Sequence, residues 1–142
     1  MDLSIRKIWS IIILMKSIKR AVIYGFLLWI LPFLASVVIF PLKKTDPAFF
    51  QSFLGVFSIT LAVILTVHYF KKTQGNLREG IFLGLTFSVI SWFFDFLFFI
   101  WGPIKMPLDV YIKEIGIGYL LYLIIATGFG YLLGKNKSTK EA

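Results

Sequence analysis

Cysteine is absent from all 142 residues, which excludes disulfides and thiolate metal sites and leaves the redox compartment open. Histidine occurs once and acidic residues number only seven, and they form neither a paired-carboxylate motif nor a metal-ligand cluster. A phosphate-binding glycine loop is also missing. The Gly116-x-Gly118 pair lacks the preceding strand and the further glycine that a dinucleotide site needs. No catalytic, cofactor-binding or metal-binding residues are therefore expected, and the chain reads as non-enzymatic.

Apolar residues are abundant instead. The chain is 58% hydrophobic and 18% aromatic, more than one soluble core of this size can hide, so lipid must cover part of it. The formal net charge of +8 does not indicate nucleic acid, because the basic residues are scattered over the ends and connecting loops. Four stretches approach the roughly 20 residues a spanning helix needs: 21–40, 49–70, 80–101 and 115–133. Prolines, glycines and charges separate them, and Pro107 allows the fourth helix to begin near Leu108. The expected fold is an all-α membrane bundle of four transmembrane helices in one membrane domain spanning 1–142, with a polar tail over 134–142.

Lys and Arg set the expected orientation. Eleven lie in the N-terminal segment, the second loop and the tail, against four in the first and third loops. Both termini should therefore face the cytoplasm, with the chain in the cell membrane. Residues 1–20 hold an apolar run, Ile8–Met15, too short to span and bracketed by Arg6, Lys7 and Lys16. The reading is an N-terminal interfacial amphipathic helix, with Arg6, Lys7, Lys16, Lys19 and Arg20 on anionic lipid headgroups. The two outer loops, Pro41-Leu42-Lys43 and Pro103-Ile104-Lys105, resemble each other and suggest a doubled hairpin. A loop's ordinary need for a breaker and an anchor explains them equally.

Asp95 is the only charged residue between Gly80 and Trp101. A charge at such depth costs about 2.5–3.5 kcal/mol on insertion scales, so it calls for a reason. Gly80, Gly84, Ser88, Ser91 and Asp95 follow at i, i+4, i+8, i+11 and i+15, within a sector of about 80°. Such a small-residue stripe lets a neighbouring backbone come close, so Asp95 should face a partner helix. The fourth span offers Gly116, Tyr119, Ala126, Gly130 and Gly134 on one face, with Tyr122 beside them. Counted by helix rise, Tyr119, Tyr122, Ser58 and Ser36 lie at the depth of Asp95 and are its expected hydroxyl partners. No Lys or Arg lies within any span, so the expectation is a neutral acid sharing hydrogen bonds. His68 is separated from Asp95 by about 18 Å of depth and is read as interfacial, not as a relay. Pro32 can kink the first span or simply mark irregular packing.

Two readings of function follow. In the leading one the chain is a structural or accessory membrane protein that self-associates, with Asp95 as a hydrogen-bonded packing residue. In the alternative it is a small transporter or channel subunit whose Asp95 binds a proton or cation.

Glu79-Gly80-Ile81-Phe82-Leu83-Gly84-Leu85, then Trp92 and Asp95, Pro103-x-Lys105-Met106, Tyr111, and Gly116-Ile117-Gly118-Tyr119-Leu120 together form a pattern over the C-terminal half. It resembles uncharacterised four-helix membrane proteins of prokaryotes. That resemblance implies a four-helix fold and no chemistry. Small multidrug transporters carry their key acid in the first span, and the first span here has none.

Overall fold

A computed structural model describes residues 3–102 and 104–141, all of them helix, turn or loop with no strand. Pro103, expected to break the third loop, lies outside them, as does the Lys140 side chain. The first helix, α1 (Leu3–Val38), runs for 36 residues straight through Pro32. A single turn, α2 (Leu42–Thr45), leads to α3 (Pro47–Phe70). Next comes α4 (Leu77–Asp95), extended by one π-helical turn over Phe96–Ile100. A short α5 (Leu108–Glu114) and a 3-10 turn (Gly116–Tyr119) precede α6 (Leu120–Glu141). Leu3–Val38, Pro47–Phe70, Leu77–Ile100 and Gly116–Thr139 are each long and apolar enough to cross a membrane.

Helix ends follow local chemistry. Pro47 stands at the first position of α3, and Asp46 Oδ1 accepts the Phe49 N–H at 3.0 Å. Asn76 Oδ1 accepts the Glu79 N–H at 2.9 Å, while Glu79 reaches back to the Gly75 N–H at 3.1 Å. Gly75 has φ +52, a conformation that disfavours a side chain.

α4 packs chiefly on α6 and then on α1, while α3 packs on α1 and α6. The core draws Ala21 and Leu28 from α1, Ala62 and Tyr69 from α3, Leu83 and Phe87 from α4, and Tyr122 and Ala126 from α6. Glycine sets the α4–α6 spacing. A Cβ on Gly80 would lie 2.5 Å from the Ala126 carbonyl, one on Gly84 2.6 Å from Leu123 Cα, and one on Gly130 2.8 Å from Gly80 Cα. Gly134 sits farther out, with its nearest neighbour, Asn76 Cα, at 3.7 Å. Lipid supplies no hydrophobic drive for helix association, so this contact rests on close backbone packing.

Two stretches behave differently from the boundaries read in sequence. Residues 3–20 are helical, but they continue into the first span without a break, so α1 is about 54 Å long. That exceeds the hydrocarbon thickness of about 30 Å. Residues 3–16 are all exposed, and Ser17 first returns to the bundle through a hydroxyl contact with Tyr69. At the other end the polar tail is not a separate segment, because α6 stays helical to Glu141.

Candidate functional site

The neighbours of Asp95 come from three separate pieces of chain. The residue ends the regular part of α4 and is 3% exposed. Trp29 of α1 donates its indole N–H to Oδ1 at 2.7 Å. Oδ2 accepts two phenols, Tyr111 of α5 at 3.0 Å and Tyr119 of the 3-10 turn at 2.5 Å. A carboxylate offers about four acceptor positions, so three are occupied. Every partner is neutral, and among the described residues no cationic side chain joins the cluster. Burial and then the Asp95 carboxyl push the Tyr111 phenol up from its ordinary range, which keeps that hydroxyl protonated and donating.

The Trp29 ring is held in place by stacking. Phe94 lies at a centroid distance of 4.8 Å on one side and Phe33 at 5.3 Å, with Phe98 tilted against the ring. Indole orientation is thus fixed before the hydrogen bond is counted.

Breaking the fourth helix is what brings the tyrosines in. Ile115 leaves helical geometry with φ −128 and ψ −53, and the chain re-enters through the 3-10 turn. Carbonyls there are met by α4 side chains: Ser88 Oγ donates to Tyr119 O at 2.8 Å, and Trp92 Nε1 donates to Gly116 O at 3.0 Å. Irregular backbone at membrane depth needs such partners. α5, expected to be the opening turns of one straight helix, is instead a separate arm that aims Tyr111 at Asp95.

Of the residues read from sequence, Tyr119 binds Asp95 directly. Tyr122 is buried against Tyr119 with ring centroids 5.4 Å apart, and Ser58 lines the same cavity, but neither is bonded to the carboxyl in the hydrogen-bond network described. Ser88 serves the Tyr119 carbonyl, and the Ser91 hydroxyl is buried without a partner among the described residues. Ser36 donates to the Phe33 carbonyl of its own helix. His68 lies beside Tyr24, with ring centroids 5.8 Å apart.

Trp29 and Tyr111 were not among the expected partners. An indole N–H deep in a span demands an acceptor, and that signal was available in the sequence. Tyr111 had none, because its approach depends on the break at Ile115.

Beside the cluster is a cavity of about 230 Å³ between α1, α3 and α6, with Asp95, Trp29, Tyr119 and Tyr122 among its walls. Gly55 and Gly118 also line it, and a Cβ at either would meet nothing within 4 Å. Lys43, Gln51 and Glu114, all exposed, mark its rim, and Gln51 donates to Glu114 at 3.3 Å.

No family model, curated protein or solved structure matches the chain. Function therefore rests on this geometry. Four membrane-length apolar helices and a buried, hydrogen-bonded Asp95 fit a multi-pass membrane protein.

Proposed function

We propose that this chain is a non-enzymatic cell-membrane protein of structural or accessory type, in which Asp95 is a latch that fixes the bundle. One observation carries the reading: a single carboxyl collects donors from α1, α5 and the 3-10 turn while sitting on α4. In membranes such bonds contribute on average about 0.6 kcal/mol and at most about 2 each. Their value here lies in fixing the relative placement of four chain segments. Self-association belongs to this reading and is supported by the apolar side chains of residues 3–15, which are exposed in the monomer. Cytoplasmic termini, and basic residues of α1 against anionic headgroups, are supported by the distribution of Lys and Arg.

A second reading is favoured by the cavity. Asp95 is one of its walls, as expected of a proton or cation site in a small transporter or channel subunit.

Paired substitutions separate the two. Asp95→Asn keeps an acceptor for Trp29 and a hydrogen-bonding group for the phenols while removing ionisation. Asp95→Leu strands three donors, at about 1–3 kcal/mol for each buried group left unmade. The latch predicts near-parental melting for Asn, a large loss for Leu, and no ion flux in proteoliposomes dependent on the carboxyl. An ion flux present in the parent and abolished in a well-folded Asp95→Asn would reject it in favour of transport.

A further inference from the structure

The cavity beside Asp95 has walls whose chemistry selects an occupant. Six aromatic residues line it: Trp29, Phe33, Phe50, Phe99, Tyr119 and Tyr122. Aromatic faces carry negative potential and attract cations, most strongly where water is excluded. Asp95 is the one ionisable carboxyl deep in the wall, since Lys43 and Glu114 at the rim are of opposite sign and offset each other. The three donors on Asp95 are neutral, so a bound cation would meet a carboxyl whose charge, once ionised, they do not cancel. One acceptor position on Oδ1 remains unfilled by them.

We infer that the cavity binds a small organic ammonium ion, its cationic head beside Asp95 and its apolar body among the aromatic rings. This rests on the ion-site reading of Asp95 given above and names the chemical class of the ion. Size limits the ligand. The volume of about 230 Å³ falls short of the roughly 300 Å³ at which drug-sized sites begin. A calcium or magnesium ion fits poorly, because it takes about six or more oxygen ligands and Asp95 is the one carboxylate deep in the wall, with Glu114 at the rim. An acyl chain accounts for the apolar walls but not for a carboxyl among them.

The site can be tested by equilibrium binding of benzyltrimethylammonium to the full chain in detergent micelles. Neopentylbenzene, the same shape without the charge, serves as competitor. Saturable binding is expected, with the neutral isostere weaker by at least about tenfold. This comparison uses the unmodified chain and does not depend on any variant folding. Asp95→Asn should weaken the ammonium by a similar factor. Gly55→Leu, which places a side chain in open space at the cavity wall, should abolish binding while leaving the hydrogen bonds of Asp95 intact. Absence of saturable binding, equal affinity for the neutral isostere, or undiminished affinity in a folded Asp95→Asn would each overturn the inference. A proton flux that needs Asp95, in a chain that does not bind the ammonium, would also overturn it while leaving the ion-site reading in place.

Discussion

Replacing Gly80 with alanine tests whether close backbone contact holds the bundle together. The added Cβ would stand 2.5 Å from the Ala126 carbonyl oxygen and 3.1 Å from both Gly130 Cα and Thr127 Cα. All three neighbours are backbone, so no side chain can swing aside. Reaching ordinary contact at 3.4 Å requires the α4–α6 seam to open by about 0.9 Å along that line. Overpacking of this kind costs about 1–3 kcal/mol. Alanine's helical preference over glycine returns up to about 1 kcal/mol, so the net effect is a loss of up to about 2 kcal/mol. Gly128→Ala is the matched control. It lies on α6, its Cβ would meet nothing within 4 Å, and only the favourable term applies. Thermal unfolding of the purified chain in detergent, followed by far-UV circular dichroism, should place Gly80→Ala several degrees below the parent and Gly128→Ala at or above it. Equal melting temperatures for the two variants would refute the argument from spacing.

Tyr119→Phe removes the phenol that donates to Asp95 at 2.5 Å and should cost about 0.6–2 kcal/mol, the range of such bonds within membranes. Tyr111→Phe, at 3.0 Å, should cost less, and a reversed order in the same melts would count against the geometry. Asn76→Ala removes the cap that accepts the Glu79 N–H and should lower stability by about 1 kcal/mol. Restoration by Asn76→Asp or Asn76→Ser would identify capping as the cause, and failure of both would point elsewhere.

The four long helices were legible because each is an apolar run of membrane length bounded by charge, proline or glycine. Which face of α4 turns inward was legible too. The Gly80–Asp95 stripe has a spacing that only a helix makes coherent, and Gly80 and Gly84 do meet α6 backbone. Two features escaped. Residues 3–20 carry enough charge to look like a separate surface segment, yet no glycine or proline interrupts them. A helix without a breaker simply continues, and α1 does so for 36 residues. The interruption at Ile115 escaped for the opposite reason. Gly116 and Gly118 mark weakness in a helix, but Gly116 also falls on the face of Tyr119, Ala126, Gly130 and Gly134, and the sequence reading assigns it to packing.

That second error hides the logic of the site. Depth counted along straight helices finds partners at one level only, which is why Tyr119 was reached and Tyr111 was not. Trp29 lies outside that count, and stacking on Phe94 holds its indole where it donates to Asp95. The same departures from ideal helix open the cavity. The C-terminal half of α3 packs through Ala62, Thr66 and Tyr69, all fully buried. Its N-terminal half presents Gly55 and Ser58 to empty space across from the 3-10 turn. A fourth helix running straight from Leu108 would keep Tyr111 on its own axis, away from the carboxyl. The break that delivers two tyrosines to Asp95 thus also shapes the space beside it. Latch and cavity are therefore coupled: a substitution that straightens the Ile115 break should weaken both together.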